Sequence, residues 1–230
     1  MRKFILGLDL AQAVDFTALV VVEIIGTDPS QWTYRVIRTE RWEKHTPYPI
    51  IAEAIKARME KEPLAPYKTG LWVSADGTHS ADVWEYPSVL VVDAGGPGRP
   101  VIDSLRRHKL LPVPVATHGG EKSKRADDGR GWSASQTHMV QTLTGVRDEH
   151  RLQVHRGVTE AATLMEEMQA YISKQNAATG HVSFGNDARV SAHDDIFVSV
   201  MLAVWYGEFV KEWSGQRRRT VPLVERITLV

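Results

Sequence analysis

The chain has 230 residues, a length for one large domain or two small ones. Its 43% hydrophobic and 24% charged content excludes a disordered or fibrous chain, and the absence of cysteine excludes a disulfide framework, a cysteine-based zinc site and a thiol nucleophile. The 28 basic and 28 acidic residues cancel, which excludes a uniformly basic coat for nucleic acid but leaves room for a local basic patch beside an acidic site.

The first forty residues predict strands. Phe4 to Leu10 is an apolar run interrupted by Asp9, too early for the core of a signal peptide. Thr17 to Ile25 is rich in β-branched residues and ends in a Gly-Thr-Asp-Pro turn. Trp32 to Trp42 alternates aromatic or aliphatic residues with Arg, Thr and Glu, as a half-exposed strand does. Short links between the three predict an antiparallel meander. A helix follows at Pro47 to Glu62, with Ile50, Ile51, Ala54, Ile55 and Met59 on one face and Pro63 as its stop.

Leu64 to Pro87 holds one plausible strand, Leu71 to Ser74, among turn formers. Ser88 to Asp93 is a short continuous apolar run, the pattern of a strand buried on both faces. It leads through Ala94-Gly95-Gly96-Pro97-Gly98 into a helix at Pro100 to His108 and a strand at Leu111 to Thr117. That order fits a parallel crossover. Gly119 to Gly131 reads as a loop. Beyond it, helices are predicted at Ser133 to Leu143, Thr159 to Ser173 and Asp194 to Trp213, with a strand at Leu152 to His155. The longest apolar run, Ile196 to Tyr206, is far short of the ~18–20 residues that span a bilayer. No repeat or composition break divides the chain, so residues 1–213 read as one soluble, intracellular domain and 214–230 as a basic tail.

Asp9 and Asp93 end apolar strands, and Asp194-Asp195 opens an apolar helix. Each has a plain structural reading: strand-ending turns for Asp9 and Asp93, an N-cap for Asp194 or Asp195. Together, acids from a first strand, a later strand and a C-terminal helix can converge at one edge of a mixed sheet. Carboxylates that close repel, and divalent cations relieve the repulsion. All-oxygen ligation suits Mg²⁺ or Mn²⁺, two of which can clamp the oxygens of a phosphodiester.

Three motifs carry a resemblance. Gly7-Leu8-Asp9-Leu10-Ala11, followed by Asp15-Phe16-Thr17, resembles the first motif of the nuclease domain of phage terminase large subunits. Val92-Asp93-Ala94-Gly95-Gly96-Pro97-Gly98 resembles the second, and His193-Asp194-Asp195-Ile196 the third. Order and spacing agree from about residue 4 to 210. The resemblance implies an α/β, ribonuclease H-like fold: a mixed central sheet, its first three strands antiparallel, flanked by helices. It further implies a two-metal endonuclease that cuts concatemeric viral DNA during packaging, in the cytoplasm of a bacterial host. Asp9 and Asp93 would be metal ligands, with Asp195 as bridge and Asp194 as second ligand or cap, since adjacent helical residues point about 100° apart. His193 would orient a water or phosphate, or lie at the surface. Asp15 would assist a second metal, or form a turn.

The family's ATPase motor carries a Gly-x-x-x-x-Gly-Lys-[Ser/Thr] loop, which this sequence lacks, so the chain is expected to be a nuclease part without ATP hydrolysis. Implied partners are double-stranded DNA, a motor domain, a small terminase subunit and a portal. Trp132-Ser133-Ala134-Ser135 stands where relatives often carry Trp-x-Pro-Lys, removing one possible phosphate contact. Lys122, Lys124, Arg125 and Arg130 are the candidate DNA contacts, and Arg217-Arg218-Arg219 is a second basic cluster facing DNA, a portal or solvent. Among seven tryptophans, Trp84 and Trp132 sit in loop-like context and could stack on bases or pack. A Holliday-junction-resolvase-like nuclease, an actin-like ATPase module and an inactive packaging module are the alternatives.

Overall fold

The computed structural model describes residues 2–10, 16–95, 99–175, 182–186, 193–210 and 218–220. An eight-stranded mixed sheet forms the centre. Its strands are β1 (Lys3–Asp9), β2 (Thr17–Ile25), β3 (Thr33–Trp42), β6 (Ser88–Asp93), β7 (Pro112–His118), β8 (Lys124–Arg125), β9 (Trp132–Ser135) and β10 (Leu152–Val154). Their spatial order is β10-β3-β2-β1-β6-β7-β9-β8. β1, β2 and β3 form the antiparallel meander, while β6, β7 and β9 run parallel to β1. The ends of β1, β6, β7 and β9 therefore share one sheet edge.

Period-2 alternation sorts the strand residues into two cores. Phe4, Leu6, Leu8, Leu90 and Val92 face α1 (Tyr48–Met59) and α2 (Arg99–Arg107). Ile5, Val20, Val22, Val91 and Val115 face α3 (Gln136–Asp148), α4 (Ala161–Ala170) and α5 (Asp195–Trp205). α5 is buried nearly all round, as its apolar sequence demands, and it packs on β1 and β2.

Most elements match the sequence pattern; four differ. Leu71 to Ser74 is part of a longer hairpin, β4 (Tyr67–Val73) with β5 (Ser80–Glu85), extended by the short strand Arg218–Thr220. Part of the expected loop at 119–131 is strand, because β8 pairs with β9 as an edge hairpin. Residues 132–135 extend β7's neighbour before α3 begins, with the Ser135 hydroxyl accepting from His138 N at 3.2 Å as its cap. Finally, α4 stops at Ala170, and β11 (Tyr171–Gln175) pairs with β12 (Val182–Asn186), so ladder pairing replaces the expected helical turn. α5 ends at Trp205 and passes into a π-helical turn at Tyr206–Val210. Asp15, Gly96 to Gly98 and Arg217 lie outside the described residues.

Candidate active site

The site starts from strand register. β1 and β6 are parallel with Leu8 opposite Val92, so the next residue on each, Asp9 and Asp93, end neighbouring strands about 4.8 Å apart. Leu8 and Val92 point into the α1–α2 core. Alternation sends Asp9 and Asp93 to the opposite face, where α5 crosses.

Gly7 lets α5 come this close: a Cβ there would stand 2.0 Å from the Ser199 carbonyl oxygen. The Ser199 hydroxyl accepts from Asp9 N at 3.1 Å and donates to the Ala18 carbonyl at 3.0 Å. Helix and strand ends are thereby fixed to each other beside the first acid.

Asp93 is half-buried, and burial pushes its carboxyl above the usual range despite a 2.8 Å hydrogen bond that its Oδ1 accepts from Gly95 N. Asp194 occupies the N-cap of α5, yet its side chain makes no capping hydrogen bond. Glu167 of α4 takes over that task, its Oε2 accepting from Phe197 N at 2.8 Å.

Tyr171 follows α4 and packs against Phe197 of α5, ring centroids 4.6 Å apart. Burial pushes its phenol up to about 12, and the charges of Asp194, Asp9 and Asp93 all push the same way. The Ser199 hydroxyl meets Asp9 N and Gly7 lies against Ser199, so the end of α5 that carries Asp194 lies toward the edge where β1 ends.

Asp195 has a different partner from the one expected. It is 1% exposed, and Arg41 grips both its oxygens, Nε to Oδ2 at 2.7 Å and Nη2 to Oδ1 at 2.8 Å. The same Nη2 reaches Glu167 Oε1 at 2.6 Å. The fork joins β3, α4 and α5, and its geometry suits a guanidinium facing carboxylates. Asp195, the expected metal bridge, sits in an ion pair, and its neighbour Asp194 stands at the N-cap of α5.

His193 packs edge-on against Phe16, ring centroids 4.9 Å apart, and Arg41 lies over the same ring at 4.8 Å. Among the described residues, no three His, Asp or Glu side chains stand close enough together to hold a metal ion as placed. The donor set nevertheless fits hard divalent cations: three carboxylates, all oxygen, at one partly buried rim.

Lys122, Lys124, Arg125 and Arg130 are all exposed on the edge hairpin and its approach. Lys124 pairs with Asp127 at 3.1 Å, and Arg125 lies over the Trp132 ring at 4.9 Å. Trp132 meets Phe209 and Trp205 edge-on, and Trp84 is a half-buried residue of β5, so both belong to strands rather than loops. Arg130 and Arg106 line a cleft of about 420 Å³ that reaches Ala94, the residue after Asp93.

Sequence reasoning missed Arg41, Gln136, Glu167, Tyr171 and Ser199. One signal was available: Leu164, Glu167 and Ala170 share a helical stripe, and a glutamate inside an apolar stripe calls for a buried cation.

No protein-family model matches the sequence, and no curated protein matches it. Solved structures do resemble it. The magnesium-bound large terminase nuclease from thermophilic phage G20c has a TM-score of 0.56 at 15% identity, over 88% of this chain and 80% of that one. The manganese-soaked human cytomegalovirus terminase nuclease domain gives 0.51 at 10% identity, over 90% and 86%. The HK97 bacteriophage large terminase gives 0.50 at 14% identity over 89% of this chain, which spans 39% of that longer protein. The protein therefore has the ribonuclease H-like fold, the one in which these terminase nucleases are built.

Proposed function

We propose that the protein is a metal-dependent DNA endonuclease that cuts concatemeric viral DNA during genome packaging. The observation that carries this reading is the parallel register that ends β1 and β6 in Asp9 and Asp93 side by side, with α5, which opens at Asp194, held on β1 through Ser199. The fold shared with solved terminase nucleases supports it, as do the magnesium and manganese in two of those structures.

In this reading Asp9, Asp93 and Asp194 hold two Mg²⁺ or Mn²⁺ ions, and Asp195 serves instead as the internal anchor of α5. When bound, the ions would supply activation of a water for attack on phosphorus and charge neutralisation at the leaving oxygen. The chain's own residues do the rest. Ser199 and Gly7 set the distance between α5 and β1, and the Arg41 fork fixes the first turn of α5, so Asp194 meets the strand acids from a rigid frame. Lys122, Lys124, Arg125 and Arg130 bind the phosphate backbone, which positions DNA without specifying sequence. A motor domain, a small terminase subunit and a portal are the proposed partners, in the cytoplasm of an infected bacterium.

Plasmid nicking in Mg²⁺ or Mn²⁺ tests the reading. Wild type should nick with weak sequence preference, and Asp93→Ala should not. Cleavage insensitive to that substitution would refute the site, and cleavage confined to branched DNA would favour a resolvase-like enzyme.

A further inference from the structure

Lys44 follows the end of β3, and its Nζ lies 5.1 Å from the centroid of the Phe16 ring. Phe16 precedes β2, and the same ring meets His193 edge-on at 4.9 Å and the Arg41 guanidinium at 4.8 Å. The two cations differ in what balances them. Arg41 is matched by Asp195 and Glu167, whereas no carboxylate among the described residues lies within ion-pairing reach of Lys44. Lys44 is half-buried, as a lysine is when its stem lies on an apolar surface and its ammonium stays in water.

Register puts this lysine on one side of the acids and the basic hairpin on the other. Asp9 pairs with Ala18 and Ala18 with Arg41, so β3 reaches the level of Asp9 at Arg41 and carries Lys44 beyond it. Asp93 pairs with Val115 and Val115 with Trp132, so β9 reaches the level of Asp93 at Trp132. Further along β9, Ser135 N donates to the Ser123 hydroxyl at 3.0 Å, which holds Lys122 and Lys124 beyond that level too. β3 lies two strands from β1, about 10 Å, and β8 lies three strands from β6, about 14 Å. Cations therefore flank the acids on both sides of the sheet. Phosphates of one DNA strand recur about every 3.4 Å. A duplex laid across this edge, with one phosphate at Asp9 and Asp93, brings a phosphate about three places away to Lys44 and one about four places away to the hairpin. Contact on one side alone leaves the duplex free to pivot; contact on both sides fixes the strand at the acids.

We propose that Lys44, held against the ring of Phe16, binds the DNA backbone on the side of the cut opposite the edge hairpin. The inference rests on the nuclease reading above and adds to it the second half of the DNA interface.

The test titrates a labelled duplex, long enough to reach both flanks, with wild type, Lys44→Met, Lys44→Arg, Lys122→Met and the double methionine variant. Anisotropy is read in EDTA, which halts cleavage, at stepped salt; thermal melting and plasmid nicking with Mn²⁺, including Asp93→Ala, run alongside. Lys44→Met should reduce the salt slope of binding by about 0.9, the loss expected for one phosphate contact. Its melting midpoint should stay as in wild type, because methionine keeps an apolar stem on the ring. Lys44→Arg should keep the wild-type slope. Lys122→Met should lose as much as Lys44→Met, and the double variant should lose both amounts, since the two sites are far apart. A wild-type slope for Lys44→Met beside a reduced one for Lys122→Met would overturn this inference and confine DNA to the hairpin side. The nuclease reading would still stand if wild type nicks and Asp93→Ala does not. A slope loss accompanied by a lower melting midpoint, or shared equally by Lys44→Arg, would overturn the inference too, by assigning Lys44 to packing on Phe16. Wild type that does not nick, or Asp93→Ala that nicks as well as wild type, would remove the nuclease reading and this inference with it.

Discussion

Gly7 and Ser199 meet backbone to backbone: a Cβ on Gly7 would stand 2.0 Å from the Ser199 carbonyl oxygen, a separation no real side chain tolerates. This close approach lets the buried helix α5 lie directly on β1, two residues before Asp9. Gly7→Ala must push the helix away. The expected cost is about 3 kcal/mol, a fall of roughly 6–12 °C in melting midpoint for a chain of this size. Ser199→Ala should cost less, about 1–2 kcal/mol, by removing the acceptor of Asp9 N and the donor to Ala18. Thermal melting of both variants checks the order.

Asp194 and Asp195 are adjacent in sequence but differ in surroundings, and substitution should separate them. Asp194→Asn should abolish cleavage and lower the melting midpoint less than Asp195→Asn does, because the buried Arg41 fork closes on Asp195. Asp195→Asn should chiefly lower stability, because it leaves Arg41 facing a neutral amide. Arg41→Ala, which strands two buried carboxylates, should cost about 3–5 kcal/mol. Nicking assays paired with denaturant melts read both axes; the opposite pattern would restore Asp195 as the functional acid.

Glu167 predicts a pH-dependent stability. It is fully buried, and burial above all raises its pKa from 4.5 to about 7, against the pull of Phe197 N and Arg41. The native state therefore binds this proton more tightly than the unfolded chain does. Its contribution is full below about pH 4.5 and is lost as pH rises through about 7. Relative to Glu167→Gln, wild type should lose stability across that window and level off above it, as measured by urea melts at stepped pH.

Arg125 lies over Trp132 at the rim of the edge hairpin, a placement that presents a guanidinium to a phosphate without immobilising a free side chain. Arg125→Ala should weaken duplex binding similarly across sequences and reduce the steepness of its salt dependence by about 0.9 for each phosphate no longer neutralised. Anisotropy titrations between low and moderate salt read the slope; an unchanged slope would place the hairpin away from DNA.

Strand patterns were legible where a long apolar run is buried on one face or both. Thr17–Ile25 and Ser88–Asp93 begin and end as their apolar runs do, because burial of a continuous run leaves few alternatives. Residues 124–125 and 171–173 were misread for the opposite reason: short edge and ribbon strands gain their definition from a partner strand, not from their own periodicity.

The sequence by itself determined the acids and their order, since carboxylates closing an apolar strand or opening an apolar helix are visible in one dimension as costly placements. Tertiary structure decided which of them share a rim. Register set Asp9 beside Asp93, and the rotation of α5 turned Asp195 into Arg41's grip while Asp194 took the N-cap position. The reason is geometric: one helical step changes direction by about 100°, and only packing fixes which direction faces the rim.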